Sequence, residues 1–375
     1  MSNTTDKHIH LVSFDVPWPA NYGGVIDVFY KIKAMAAKGV KIHLHCFEYG
    51  RTHAAELENY CHKVHYYKRD ISKKNLFRIA PYIVSSRTSD KLVRNLLKDH
   101  YPILLEGLHT CGILEDDRLK HRRISVRTHN IEHEYYRNLA RAETGIFRKY
   151  YYYNEASKLK RFEKILDRAD QLVAISKKDE KYFSAHYPHV DFVPAFHPHK
   201  DIRIKTGKGD YVLYHGNLSV AENINAVRFL ISNVFTDLKV KFKIAGLNPS
   251  AQLASLVAPL SHVELISNPT DEELFELINN AHINISITFQ ATGLKLKLLN
   301  TLYNGRFCLV NDQMLSGSAL DELCIIANDA RTMKKQIKEL FKRSFDEEHI
   351  DQRRLKLHTL YNNGNNVSKL IELIS

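Results

Sequence analysis

Two periods alternate along this chain. Short β-rich runs recur at residues 8–14, 40–47, 64–67, 103–106, 124–128 and 172–175, and the stretches between them have helical spacing. Val25, Val28, Phe29, Ile32 and Met35 share one face of a helix expected over residues 25–38, and Gly39 is its stop signal. Strand, Gly-punctuated loop, helix and strand in that order make a βαβ unit, which calls for a parallel sheet. A long charged helix is expected over 147–169. A shorter one over 177–185 is opened by Ser176 with Asp179 three residues on.

The periodicity lapses between residues 189 and 210, where Pro194, Pro198, Gly207 and Gly209 fall, and this stretch reads as a linker. Alternation then restarts. Strands are expected at 211–215, 241–245, 263–266, 283–288 and 307–310. The helices between them are expected at 223–232, at 251–258, after Thr270 with its capping partner Glu273, and at 294–304. Terminal helices are expected at 331–345 and 367–374. The pattern predicts an α/β protein of two Rossmann-like doubly wound domains, residues 1–195 and 196–354, with a C-terminal helix at about 355–375 packing back on the first.

Composition narrows the class without changing this picture. A chain of 375 residues with 44% apolar and 26% charged residues is long enough for two folded domains. The five cysteines are scattered with no CxxC pair, so neither a disulfide framework nor a zinc ribbon is expected. Residues 1–10 are polar and the apolar run 11–14 is too short for a secretory signal, so a cytoplasmic protein is expected. The net charge of +12 is uneven: residues 1–195 carry 33 Lys/Arg against 23 Asp/Glu, and residues 196–375 carry 21 against 19. That excess suits an anionic substrate or an anionic membrane surface. No nucleic-acid motif accompanies it, so no nucleic-acid partner is expected.

In open α/β sheets ligands bind beyond the carboxyl ends of the strands, so the loops there hold the candidate chemistry. The first is 17–24, where Gly23 and Gly24 open a helix; a tight turn and a close approach to a phosphate both require such residues. Glu106 ends a strand, and either a substrate hydroxyl or a strand-end salt bridge would satisfy its carboxylate. Arg127-Thr128-His129-Asn130 follows another strand, with Glu132 and His133 close behind. His129 there is either a structural histidine or a group that bonds a sugar or phosphate. In the segment 289–302 a strand gives way to a Thr292-Gly293 turn and a helix with Lys295 and Lys297 in its first turn. Lysine there opposes the helix dipole unless an anion is bound, although both lysines could instead extend into solvent.

At these residues the sequence resembles the GT-B glycosyltransferases of the retaining, nucleotide-sugar-dependent kind, and is similar to glycosyltransferase family 4. The resemblance runs through Tyr22-Gly23-Gly24, Thr128-His129-Asn130, Leu172 to Ser176, Tyr214-His215-Gly216-Asn217, Ser267 to Leu274 and Thr292 to Lys295. It implies a hexosyltransferase-type enzyme that moves a sugar from a nucleotide-diphosphate sugar to a glycan or lipid-linked acceptor in cell-surface polysaccharide synthesis. His129 and Lys295 would be catalytic. Gly23, Gly24, Gly216, Asn217, Ser267, Thr292, Gly293, Leu294, Lys297 and Asn300 would hold the donor, and Asn21, Tyr22 and Glu106 would lie on the acceptor side. The nucleotide sugar is a co-substrate, so no cofactor and no metal are expected, and no DxD pair occurs to hold one. The family's paired glutamates fall on Thr292 and Asn300, and its basic pair falls near Asn217 and Glu222. The alternative is a GT-B scaffold without catalysis, serving as a sugar-binding or partner subunit.

Overall fold

The structure, a computed structural model, describes residues 7–143, 145–289 and 296–375. These form two compact units, the first of residues up to Pro198 together with Tyr361–Ser375, the second of His199 to Leu360.

The first unit is built on seven parallel strands: β1 (His8–Ser13), β2 (Lys41–Glu48), β3 (Lys63–Lys68), β4 (Ile103–Glu106), β5 (Ile124–Thr128), β6 (Gln171–Ala174) and β7 (Val190–Phe192). Their order in the sheet is β3-β2-β1-β4-β5-β6-β7. Every residue of β4, β5 and β6 is buried, as strands covered on both faces must be. The order reverses between β1 and β4, which fixes a switch point at their carboxyl ends.

The second unit has β8 (Val212–His215), β9 (Phe242–Gly246), β10 (Val263–Ser267), β11 (Ile283–Ser286), β12 (Phe307–Val310) and β13 (Ile325–Ile326). Their order is β10-β9-β8-β11-β12-β13, again parallel, with the reversal between β8 and β11. Its core gathers Val212, Tyr214, Ile244, Ile283 and Phe307 with Leu230 and Phe235 from the helical layer.

The expected linker was too long: Val190–Phe192 pairs with β6 as the edge strand β7. Helix ends also shift. The helix expected over 147–169 is α-helical over Ile146–Phe162 and tightens to 3-10 geometry over Glu163–Arg168. That expected over 223–232 runs over Ala221–Phe229 and widens into a π-turn at Leu230–Val234, and that expected over 331–345 ends at Leu340.

The C-terminal helix expected at about 355–375 is two helices broken at Asn362, and the first of them, Glu347–Tyr361, starts eight residues earlier than expected. Its buried positions are Ile350, Arg353, Leu357 and Tyr361, a helical stripe interrupted by a charged residue. Arg353 sits there because its guanidinium caps carbonyls of Leu302, Gly305 and Arg306. The last helix, Asn363–Ile374, is capped by Asn362. It packs Val367, Leu370 and Ile374 among Val25, Val28, Ile32 and Val173 of the first unit, and Lys369 Nζ donates to the Phe192 carbonyl at 3.0 Å.

Candidate functional site

In the first unit the site grows from the switch point. The helix Gly23–Ala37 after β1 turns its apolar face to the sheet, and Asp27 and Lys31, one turn apart, lie on that buried face. Two charges cannot sit there without partners. Lys31 Nζ donates to Asp27 Oδ2 at 3.0 Å and to Glu106 Oε2, at the end of β4, at 2.8 Å. Arg127 on β5 reaches Asp27 with Nε at 3.1 Å and Nη2 at 3.0 Å, and its guanidinium also serves the carbonyls of Val193 and Pro194. His129 Nε2 lies 2.9 Å from Glu106 Oε2.

Burial alone would raise the Asp27 carboxyl; Arg127 and Lys31 outweigh it and hold the group well below its usual range. Glu106 is likewise held below its usual value against burial, by Lys31 and by the bond from His129. Two carboxylates, one ammonium and one guanidinium therefore balance inside the sheet edge. An ionised carboxylate can only accept, so Nε2 of His129 carries the hydrogen of this bond. Glu106 is fully buried in this network. The salt-bridge reading of its sequence position is the one that the structure shows: it orients His129, and its carboxylate is taken by Lys31 and that ring.

The loop before the helix is tied down separately. Tyr22 Oη donates to Asp15 Oδ2 at 2.8 Å, Arg51 contacts the Asn21 side chain, and its guanidinium lies 5.0 Å over the Tyr22 ring. The two glycines differ in their reasons. A Cβ on Gly24 would come within 2.7 Å of the Phe14 ring, whereas one on Gly23 would meet nothing within 4 Å. Phe14 in turn packs edge-on to His129, with ring centroids 5.4 Å apart, and so connects the glycine turn to the histidine. Behind His129, Gly107 takes φ +68, and a side chain there would press on His109 at 2.9 Å. Buried Glu132, next to Asn130, is pushed up to about 7 by burial and the neighbouring Asp179 carboxylate. His109, 4.0 Å from it, is held neutral by burial and by Arg87.

In the second unit the strand ends crowd together. A Cβ on Gly246 would overlap the Gly216 carbonyl, so the turns after β8 and β9 touch through bare backbone, and Ser267 is in register with Gly246 on the outer strand β10. Asn217 Oδ1 accepts from Ser219, and its carbonyl accepts from Asn223 Nδ2 at 2.9 Å. Lys297, on the helix Leu296–Asn304, places Nζ 3.0 Å from Asn223 Oδ1 and 3.3 Å from Tyr214 Oη. Glu222 accepts from the Thr288 hydroxyl after β11. Burial pushes His215 down to about 3, so this ring stays neutral beside Lys297. Asn300 accepts from Asn304 Nδ2 at 2.9 Å. Thr292, Gly293, Leu294 and Lys295 lie outside the described residues.

The structure thus joins Glu106 to His129, links Gly24 to them through Phe14, and gathers Gly216 and Asn217 near Lys297 through Asn223. Asp27 and Lys31 were missed as site residues, with the i, i+4 pair of opposite charges on an apolar helix face as the available signal; Arg127 was noted in the strand-end loop but given no role of its own. The resemblance sets a basic residue near Glu222, and here Lys297 reaches the neighbouring Asn223 from another helix. Among the described residues, one set of three metal-ligating side chains converges, Asp27, Glu106 and His129. Lys31 already stands between both carboxylates, so the donor set does not suit a metal ion. No described helix is long and apolar enough to cross a membrane.

No protein-family model matches the sequence. A Klebsiella pneumoniae relative is 27% identical over 349 residues, covering 88% of this chain and 89% of its own length; it is known as an uncharacterized 44.6 kDa protein in the cps region. Among solved structures, TarM superposes over 100% of both chains with a TM-score of 0.69 at 10% identity. The trehalose-6-phosphate synthase OtsA covers 98% of both chains with a TM-score of 0.65 at 12% identity. A glycosyltransferase from Rickettsia africae covers 99% of this chain and 98% of its own, with a TM-score of 0.63 at 12% identity. At such identities the likeness is one of architecture: the chain has the GT-B fold of two Rossmann-like parallel-sheet domains.

Proposed function

We propose that the protein is a retaining, hexosyltransferase-type glycosyltransferase. It would move a sugar from a nucleotide-diphosphate sugar to a glycan or lipid-linked acceptor, for cell-surface polysaccharide synthesis. The observation that carries this reading is His129, at the end of β5 and held by Glu106 of the adjacent β4, within a fold shared over the whole chain with TarM and OtsA. The cps-region relative supports the polysaccharide setting.

In this reading the leaving diphosphate helps remove the acceptor proton, and no protein nucleophile is needed. His129 would offer Nδ1 to a sugar hydroxyl while Glu106 holds the ring. Lys297 and Lys295, with the amides of Thr292, Gly293 and Leu294, would meet the charge that grows on the diphosphate. Gly216, Asn217 and Ser267 would flank the nucleotide, and Gly23 would let the donor approach the first unit's helix start. Asn21 and Tyr22, ordered by Arg51 and Asp15, would lie on the acceptor side. No metal or cofactor is invoked. The protein would work in the cytoplasm, with peripheral contact at the inner face of the membrane as an option open to it.

Thermal-shift measurement with UDP, GDP, ADP and CMP tests the donor half, because a ligand bound only to the native state raises its stability. Stabilisation by one nucleotide, diminished in Lys297→Met, is expected; no response to any of the four counts against the reading. A second reading, a sugar-binding scaffold without catalysis, draws on Asn300, whose amide occupies a glutamate position of the family and is engaged by Asn304. Donor turnover that disappears in His129→Ala separates the two.

A further inference from the structure

The first unit exposes apolar side chains in two places, both joined to one helix. One is the stretch after β3, where Phe77 is 88% and Ile79 is 91% exposed. The other is the first turn of the helix Ile146–Phe162, where Ile146 is 82%, Phe147 92% and Tyr150 74% exposed. Lys158 Nζ donates to the Leu76 carbonyl at 2.8 Å, and the Tyr82 amide donates to Glu155 at 2.6 Å, so residues 76–82 are pinned along the flank of that helix. Residues 145–150 are exposed on every side, so the turn projects from the unit.

Cations predominate within these two stretches, with Asp70 and Glu143 at their edges. Residues 71–80 and 145–154 carry five cations, Lys73, Lys74, Arg78, Arg148 and Lys149, and no carboxylate. Glu143, beside the turn, accepts from the Gly145 amide. Isolated, fully projecting Phe and Ile side chains ringed by Lys, Arg and Tyr match the interfacial zone of a bilayer: apolar groups enter the acyl boundary, aromatics sit at the headgroups and cations meet lipid phosphates. A protein partner would be expected to find a contiguous apolar face, whereas here the apolar groups are separate prongs.

We propose that this surface, Phe77, Ile79, Ile146 and Phe147 with their flanking cations, docks the protein on an anionic lipid bilayer. The inference stands on this surface alone; that it would bring the enzyme to a lipid-linked acceptor rests on the function proposed above.

Co-sedimentation with vesicles of phosphatidylcholine alone, and of phosphatidylcholine with phosphatidylglycerol, tests it on the full chain. Wild type is expected to bind the anionic vesicles and to release as salt rises. Phe77→Ser with Phe147→Ser should weaken partitioning about tenfold or more. Lys73→Gln, Lys74→Gln, Arg148→Gln and Lys149→Gln together should remove the salt-sensitive part. Leu355→Ser, an exposed site of the second unit, should change nothing. These side chains are exposed, so unfolding temperatures should match wild type, and nucleotide-induced stabilisation should persist in all variants. Loss of docking is thereby separated from loss of the donor site. Absence of anionic-vesicle binding, binding unchanged by the Phe pair, or an oligonucleotide bound as tightly and with no effect of the Phe pair would overturn the proposal.

Discussion

The two sheet edges solve different electrostatic problems. At the first, charge is answered by charge: Asp27, Lys31, Glu106 and Arg127 pair with one another in a dry interior, and His129 is locked onto them. At the second, Lys297 is hydrogen-bonded to a phenol and an amide, and the turns after β8 and β9 touch through bare glycine backbone. The first edge is therefore held by paired charges, and the second by neutral hydrogen bonds around one cation and by close backbone packing. A network of the first kind is costly to break at any single member, because each removal strands a buried partner.

The largest effect should accordingly come from Arg127→Met, which leaves Asp27 short of its bidentate partner; a loss of about 3–5 kcal/mol is expected for the first unit in urea unfolding. Combining it with Asp27→Leu should recover part of that loss, since both charges then leave together. If the double variant is as unstable as the sum of its singles, the network account fails.

pH sharpens the contrast within the first unit. Asp27 and Glu106 are held below their ordinary values, so their stabilisation is present above about pH 4.5 and drains away as pH falls below it. Glu132 runs the other way. Its value is raised from 4.5 to about 7, so the stability it confers in protonated form is complete below pH 4.5 and is lost as pH climbs through 7. Glu132→Gln should be more stable than wild type above pH 7, by about 3 kcal/mol, with the difference vanishing below pH 4.5. Equal pH profiles for the two proteins would contradict the burial argument.

At the second edge, smaller changes in stability and larger changes in ligand response are expected. Lys297→Met should lower nucleotide affinity by about tenfold or more, one lost charged hydrogen bond, while changing the unfolding midpoint little. Asn223→Ala, which loosens Lys297 and frees the Asn217 carbonyl, should cost about 1 kcal/mol of stability. A variant of Lys297 that unfolds readily yet binds nucleotide normally would show that the lysine is structural.

Much of the architecture was legible because parallel strands buried on both faces read as unbroken apolar runs; β4, β5, β8 and β12 were placed to within a residue. β7 was not, since three residues beside prolines give no period, and its identity comes from pairing with β6. The first half of the helix Glu347–Tyr361 was hidden because its buried stripe passes through Arg353. Of the first edge, His129 and Glu106 were marked by position at strand ends, and their bond follows from the pairing of β4 with β5. Asp27 and Lys31 escaped because charged residues on a helix are ordinarily solvent-facing, and their i, i+4 spacing on the apolar face was the only cue to their burial. The contact of Lys297 with Asn223 joins residues 74 positions apart, a distance that no local pattern spans.

The most direct test of sugar transfer is turnover of a panel of nucleotide-diphosphate sugars, followed by nuclear magnetic resonance of the anomeric proton. The expected result is consumption of one donor with its anomeric configuration kept, and a drop of about a hundredfold or more in His129→Ala with the fold intact. Equal turnover by wild type and His129→Ala, or inversion at the anomeric carbon, would contradict it.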